Sequence, residues 1–293
     1  MLTQISPLRP DRLVLAGAAV LCLLGLSASA LAAGPQSSKL VSKMRNIELC
    51  NGFDRSSPEP QIRGCTALIN AENETTLVRA IAHNNRGDAY VAQGNFDAAI
   101  NDYDQAIGIN PDFARPFNNR GFAYLKKGDY ERALKDFDQA IKLKPDYGRA
   151  FANRAETYQL RHDYQSAARD YDTAVRLHPD IGAVWNGRCW TRAVLGELQP
   201  ALADCNKALS LKPNDAAALD SRGLIYLKLG QFESAINDYS SALRIEPTLA
   251  SALYGRGLAR VKKGDSTGGN ADLAAAEKLE KKIAENFSYY GVR

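Results

Sequence analysis

The sequence is poor in the residue patterns that bind metals or phosphate. Its three histidines, His83, His162 and His178, stand far apart, and its five cysteines form no Cys-x-x-Cys pair. It also lacks a His-Glu-x-x-His motif and a Gly-x-x-x-x-Gly-Lys-Ser/Thr loop. Because structural zinc sites and phosphate-binding loops depend on such patterns, the sequence predicts no metal, no cofactor and no catalytic residue.

An excess of charge of one sign is also absent. The 293 residues include 37 basic and 33 acidic side chains, which leaves a net charge of +4. Nucleic-acid-binding proteins usually carry a concentrated basic stripe, so we expect no nucleic-acid partner. Beyond residue 33 there is no apolar run long enough to span a bilayer.

The N-terminus carries the one long apolar stretch. Arg9 and Arg12 precede apolar residues 13–26, and small residues follow at 27–33. This order is typical of a secretory signal peptide, so we predict that residues 1–32 are removed and that the mature protein is periplasmic or secreted. The alternative is an uncleaved anchor that holds the protein at the membrane facing the periplasm, because 21 mostly apolar residues can just span a bilayer.

From residue 80 to residue 283 the sequence repeats every 34 residues without a gap. One position in each unit is always alanine, at Ala106, Ala140, Ala174, Ala208, Ala242 and Ala276. Another is proline in five units, at Pro111, Pro145, Pro179, Pro213 and Pro247. A fixed period of 34 residues is typical of a solenoid of helix–turn–helix units, in which each unit packs on its neighbours.

The second unit shows the pattern clearly. Phe117, Gly121 and Tyr124 are three or four residues apart, which places them on one face of a helix. A Lys-Gly-Asp turn follows at residues 127–129. A second apolar stripe then leads to Pro145, as expected just beyond a helix C-terminus. The unit therefore predicts two antiparallel helices joined by a short turn.

This unit resembles the tetratricopeptide repeat (TPR) family. The residues that carry the resemblance are Phe117, Gly121, Tyr124, Ala133, Phe137, Ala140 and Pro145. The resemblance covers six units, at residues 80–113, 114–147, 148–181, 182–215, 216–249 and 250–283. It implies an all-α, right-handed α-solenoid, and it implies a protein that binds partners rather than one that transforms substrates.

The two ends of the array depart from the pattern, as terminal repeats do. Residues 33–79 are interpreted as a divergent N-terminal helical hairpin and a linker. In the sixth unit no proline ends the second helix, so we expect that helix to continue through Lys278 and Glu285. Residues 284–293 would form a C-terminal cap. Three aromatic residues would cover its apolar end: Phe287, Tyr289 and Tyr290.

Each unit carries an arginine and, sixteen residues later, an aspartate. The arginines are Arg86, Arg120, Arg154, Arg188, Arg222 and Arg256. The aspartates are Asp102, Asp136, Asp170, Asp204, Asp238 and Asp272. Since the turn of the hairpin lies between them, we predict an Arg–Asp ion pair in every unit. Because each charge has a matched partner, we favour a scaffold salt bridge over a basic ladder that grips acidic ligands.

Four cysteines remain after signal cleavage: Cys50, Cys65, Cys189 and Cys205. An even number in an exported protein suggests disulfides. The last two are sixteen residues apart, one position beyond an Arg–Asp pair, and the first two are fifteen apart across the N-terminal hairpin. We predict both pairs, each closing a loop of about 15 residues and stabilising the fold by about 3 kcal/mol. The alternative is four small buried thiols at helix contacts.

Residues 264–268, Gly-Asp-Ser-Thr-Gly, match the pattern of a hydrolase nucleophile elbow. That mechanism needs a strand before the serine, on a sheet, and a helix after it. Because the motif falls in the turn of the sixth hairpin, we interpret Ser266 as a turn residue rather than a nucleophile.

In TPR arrays the first helix of each unit lines a concave groove. The resemblance gives fourteen partner-binding candidates: Asn84, Asp88, Arg115, Asn118, Phe122, Lys126, Arg149, Glu156, Asn186, Trp190, Asp220, Lys228, Tyr254 and Lys262. Phe122, Trp190 and Tyr254 are candidate hot spots, because aromatic side chains on an exposed face often anchor a partner. The alternative is packing between adjacent first helices. The ninth-residue asparagine of a TPR carboxylate clamp is absent from every unit.

These observations predict a non-enzymatic scaffold or adaptor that binds a peptide or protein in its groove, in a bacterial envelope compartment. Two alternatives stay open. Retention of residues 1–33 would favour a membrane-anchored assembly factor for an envelope complex, whose only membrane contact is that segment. A glycan-handling enzyme on a TPR frame would require a deep polar pocket with a perturbed acid or base.

Overall fold

A computed structural model describes residues 35–52 and 57–292. Over these residues the regular secondary structure consists of fifteen α-helices, with no strand. The predicted all-α fold class is therefore confirmed. The predicted signal peptide lies outside the described residues. No helix in the described part of the chain combines the length and apolar character needed to cross a membrane.

The helices fall into two compact units. The N-terminal unit ends at Pro145 and contains three antiparallel hairpins. Its helices are α1 (Pro35–Cys50), α2 (Glu59–Ile69), α3 (Thr76–Ala92), α4 (Phe96–Ile109), α5 (Ala114–Lys126) and α6 (Tyr130–Leu143). The first two helices form the divergent hairpin, and the first regular unit starts four residues earlier than the repeat frame, at Thr76.

The C-terminal unit begins at Asp146 and contains four hairpins and a short final helix. Its helices are α7 (Gly148–Leu160), α8 (Tyr164–Leu177), α9 (Gly182–Leu195), α10 (Leu198–Leu211), α11 (Ala216–Lys228), α12 (Phe232–Ile245), α13 (Ala250–Lys262), α14 (Ser266–Leu279) and α15 (Ile283–Tyr289).

The expectation that the last long helix continues through Glu285 is wrong. Helix α14 ends at Leu279, Glu280 is extended with φ −144°, and α15 starts at Ile283. The break has a physical cause, because the turn lets Ile283 and Phe287 become almost fully buried. Burial of two large apolar side chains, about 1.5–3 kcal/mol each, outweighs the continuation of the helix.

A small residue on each first helix lets the second helix approach closely. A Cβ atom added at Gly87 would lie 2.6 Å from the ring of Tyr103, and one added at Gly121 would lie 2.8 Å from the ring of Phe137. These positions are sixteen residues apart, the same spacing as the Arg–Asp pairs. The glycines therefore set the distance between the helices of these hairpins.

In the fourth regular unit the same two positions hold cysteines. The sulfur atoms of Cys189 and Cys205 are 1.97 Å apart, a bonded pair. Cys50 and Cys65 are likewise bonded, at 2.07 Å, between α1 and α2. All four cysteines are fully buried. A covalent link thus replaces the contact between a small residue and a ring in the fourth unit.

The turn inside each hairpin requires a left-handed residue. Five units use glycine, with φ between 72° and 93°: Gly94, Gly128, Gly196, Gly230 and Gly264. The third unit places His162 there instead, with φ 61°. Since residues with a Cβ seldom adopt this conformation, His162 is an exception with a local cost.

The predicted Arg–Asp pair forms in all six regular units. Both carboxylate oxygens accept from one guanidinium at 2.6–2.9 Å in every case. The remaining Nη1 often reaches the preceding hairpin, as from Arg188 to Asp172 at 2.9 Å. Hydrogen bonds with Asp238 raise the pKa of Arg222, against the opposing effect of burial. Each arginine therefore serves the scaffold, which confirms the favoured interpretation.

Candidate partner-binding groove

The structure divides the fourteen groove candidates by exposure. Seven are buried: Asn84, Asp88, Asn118, Phe122, Asn186, Trp190 and Asp220. Six are half-buried: Arg115, Lys126, Arg149, Glu156, Lys228 and Tyr254. Lys262 is exposed. The first-helix wall is therefore less open than the repeat frame suggests.

In the N-terminal unit, the polar candidates tie adjacent first helices together. The Asn119 side-chain amide donates to Oδ1 of Asp88 at 2.9 Å and to Oδ1 of Asn84 at 3.2 Å. The Tyr103 hydroxyl donates to the same Asp88 oxygen at 2.8 Å, and Asn118 donates to Asn119 at 3.0 Å. Because buried amides and carboxylates need partners, these polar side chains hold adjacent first helices together.

The aromatic candidates Phe122 and Trp190 are not exposed anchors, and that expectation is corrected. Each has 6% of its surface exposed. The ammonium nitrogen of Lys126 lies 5.0 Å from the ring centroid of Phe122, a cation–π contact. Trp190 has the ring of Tyr164 at 5.6 Å on one side. Phe122 therefore contacts a cationic side chain, and Trp190 an aromatic one, each from the same compact unit.

The wall of the C-terminal unit is covered by residues 283–292, which we call the C-terminal segment. The ring centroid of Tyr290 lies 5.4 Å from Trp190, and that of Phe287 lies 4.8 Å from Tyr254. The ammonium of Lys228 donates to the backbone oxygen of Tyr290 at 2.8 Å. Three of the predicted groove residues, Trp190, Tyr254 and Lys228, are thus already in contact with the C-terminal segment of the same chain.

Beneath this segment lies a buried polar site. Asp220 is 5% exposed and accepts a hydrogen bond from Ser251 Oγ at 2.8 Å. It borders a cavity of about 20 Å³ that is also lined by Tyr239, Asn286 and Tyr290, a volume on the scale of one water molecule. Burial raises the pKa of Asp220 to about 7. An aspartate that titrates near neutral pH is therefore placed under the C-terminal segment.

The aromatic C-terminus lies on a different surface from the one expected. Phe287, Tyr289 and Tyr290 do not cover the end of a continued helix; Phe287 and Tyr290 pack on the first-helix wall and Tyr289 on the turn at His162. Two signals could have indicated this. Three aromatic residues occur within four positions, and His162 breaks the glycine pattern at the turn that Tyr289 contacts.

The hydrolase-like motif lies where the repeat frame places it. Ser266 is the first residue of α14, after Gly264 at φ 93°. The Asp265 side chain accepts from the backbone nitrogen of Gly268 at 2.9 Å and so caps the helix. Within residues 35–52 and 57–292, no three His, Cys, Asp or Glu side chains are grouped to hold a metal ion.

Repeated antiparallel helix pairs of this kind define an α-solenoid protein. The chain belongs to the tetratricopeptide repeat family. It matches the family described as TPR repeat at residues 87–128 and 223–264. It matches families described as tetratricopeptide repeat at residues 114–147 and 154–216. Together these matches span more than half of the chain, so the suspected family is confirmed.

In sequence, no curated protein matches this chain. Among solved structures, a tetratricopeptide repeat protein from Parabacteroides merdae is 19% identical, with a TM-score of 0.62 over 86% of this chain and 99% of that one. PilW, a widely conserved type IV pilus biogenesis factor, is 18% identical, with a TM-score of 0.59 over 72% and 94%.

A third similar structure is YrrB, a TPR protein with an unusual peptide-binding site. It is 21% identical, with a TM-score of 0.50 over 64% of this chain and 97% of that one. Because the identities are low, the likeness to these structures shows a shared fold only. Membership of the TPR family is consistent with a protein-interaction scaffold.

Proposed function

We propose that the protein is a non-enzymatic scaffold that binds a peptide or protein along its first helices. The observation that carries this proposal is that the first-helix wall of the C-terminal unit already holds a peptide segment through two ring contacts and a backbone hydrogen bond. The arginines, aspartates and small residues of the repeat are occupied in scaffold contacts. YrrB, a TPR protein that shares the fold, has a peptide-binding site.

A charge-reversal pair on this wall tests the proposal. We expect Arg149→Glu with Lys262→Glu to reduce capture of the partner by the full chain at least about tenfold, which corresponds to about 1.4 kcal/mol. Both positions lie on first helices, where reversal places like charges against a ligand selected for the original ones. Capture from an extract of the producing cells, followed by titration of the purified partner, measures the effect.

The matched control reverses two exposed basic residues on second helices, Arg176→Glu with Lys207→Glu. This variant has the same net charge and should bind as the unmodified chain does. Equal losses in both double variants would show that net charge matters rather than the first-helix wall. Unchanged binding in both would contradict the groove assignment.

We also propose that the protein works in an oxidising envelope compartment. The N-terminal pattern at residues 1–32 and the two bonded cysteine pairs support this. Mass spectrometry of unreduced protein from the producing cell should give a chain that begins near residue 33 and has four alkylation-resistant cysteines. A chain that retains residues 1–32 would favour the anchored assembly factor. Four alkylated thiols on a cytoplasmic, uncleaved chain would contradict export.

A further inference from the structure

We propose that the C-terminal segment is an internal ligand of the groove in the C-terminal unit, and that a partner segment with the same Phe-x-x-Tyr spacing takes its place. This inference rests on the proposed function and specifies the chemistry of the ligand. Phe287 of α15 and Tyr290, the residue that caps this helix at its C-terminus, are three residues apart, so their side chains lie on the same side of the segment.

The aromatic contacts of the segment span several hairpins of the C-terminal unit. Phe287 packs on Tyr254 of α13, while Tyr290 meets Trp190 of α9 edge-on. Tyr289 lies 5.2 Å from His162, in the turn after α7. Edge-on and tilted ring pairs at these distances are attractive beyond the area they bury. The segment therefore occupies the wall as a ligand would, with aromatic anchors in the third, fourth and sixth repeats.

A backbone contact complements the rings. The Lys228 ammonium donates to the carbonyl oxygen of Ala193 at 2.6 Å and to that of Tyr290 at 2.8 Å. Burial lowers the pKa of Lys228, which reflects an ammonium desolvated beneath the segment. A main-chain acceptor does not depend on the sequence of the ligand, so another segment can supply the same oxygen while its rings provide selectivity.

The exceptional turn residue points to the same contact. In the position where five units use glycine, His162 keeps a left-handed conformation and places its imidazole against Tyr289. Its Nδ1 also lies 2.8 Å from the Tyr164 hydroxyl. Backbone strain of this kind persists where surrounding contacts require it. Here the imidazole extends the ring wall toward the end of the segment.

The segment is attached in a way that permits exchange. Helix α15 has seven residues and follows a link of three residues after α14. A helix this short is unstable without tertiary contacts, so its order depends on the wall. A partner helix with the same ring pair competes for one set of contacts. Bound segment and bound partner are therefore mutually exclusive.

Trp190 provides the reporter for a test with the full chain. The substitution Trp185→Phe leaves Trp190 as the sole tryptophan, and acrylamide quenching then measures its exposure. In this background, Tyr289→Ala with Tyr290→Ala should raise the quenching constant at least about threefold. A synthetic peptide with the sequence of residues 283–293 should bind this variant at least about tenfold more tightly than the unmodified chain, because the internal competitor is weakened. Peptide binding should restore the protection of Trp190.

The control peptide carries alanine at the positions of Phe287 and Tyr290 and should not bind. If the double variant loses helical circular dichroism, the variant His162→Gly tests the proposal instead, because glycine occupies the same turn position in the other five units. The variant His162→Gly should bind the peptide about threefold more tightly than the unmodified chain. Protection of Trp190 in a helical double variant, or peptide affinity unchanged in both variants, would overturn the proposal.

A concentration-dependent dimer of the variant in place of peptide binding would assign the wall to a second copy and overturn the partner assignment. These results are independent of the scaffold proposal. That proposal is tested separately, by measuring partner capture in the variant Arg149→Glu with Lys262→Glu.

Discussion

Replacing Asp136 with alanine should lower the free energy of unfolding by about 3 kcal/mol. Its carboxylate accepts two hydrogen bonds from Arg120, at 2.7 and 2.8 Å, and only 8% of its side chain is exposed. Removing it leaves the Arg120 side chain, which is only 20% exposed, without its bidentate partner. Urea denaturation followed by circular dichroism at 222 nm measures the loss.

The same arginine offers a matched control. Its Nη1 also donates to Asp104, whose side chain is 47% exposed. The variant Asp104→Ala also removes one carboxylate that pairs with the Arg120 guanidinium. Because an exposed ion pair contributes only about 0–1 kcal/mol, this variant should lose far less stability than Asp136→Ala. Similar losses for the two variants would contradict the distinction between a buried scaffold pair and an exposed one.

A further double variant separates the pair from its environment. Arg120→Met with Asp136→Leu removes both charges and fills the site with apolar side chains. It should recover most of the stability lost in Asp136→Ala, because the penalty there comes from the stranded charge rather than from the loss of net attraction.

The second large effect is a dependence of stability on pH that Asp220 controls. An unfolded aspartate titrates near pH 4, whereas burial raises the pKa of Asp220 in the folded chain to about 7. Between these values the folded state holds a proton that the unfolded state has lost. The contribution of Asp220 to the free energy of unfolding is therefore greatest below about pH 4. It decreases as the pH rises from about 4 to about 7 and is constant above that.

Substitution with asparagine should remove this dependence. Relative to the unmodified chain, Asp220→Asn should gain about 2–3 kcal/mol on going from pH 5 to pH 8. The groups facing Asp220 in the site are Tyr239, Ser251, Asn286 and Tyr290, and Glu246 adds to the rise in pKa. Since burial raises the pKa of Tyr290 to about 12, that phenol stays neutral over this range.

Urea titrations at both pH values measure this difference. The exposed Asp180→Asn serves as a control and should follow the unmodified chain. Parallel stability profiles for the unmodified chain and Asp220→Asn would show that Asp220 is ionised across the range, against the expectation.

The hairpins and their internal contacts were predictable because they are periodic and local. Arg120 and Asp136 are sixteen residues apart with a turn midway, so the spacing alone sets them opposite each other. The same spacing brings Cys189 and Cys205 together. The third donor of the arginine was not foreseen, because its partner lies in the preceding hairpin and varies from Asp104 to Asp172 and Asn206.

The sequence by itself determined the family, the all-α class and the ion pair in each repeat, since these depend on contacts within one 34-residue period. Only the tertiary structure decided how open the first-helix wall is. Burial of Trp190 depends on Tyr290, a hundred residues later and outside the period. Whether those final residues extend a helix or turn onto the wall is settled by the apolar surface that each arrangement buries, which no local spacing encodes.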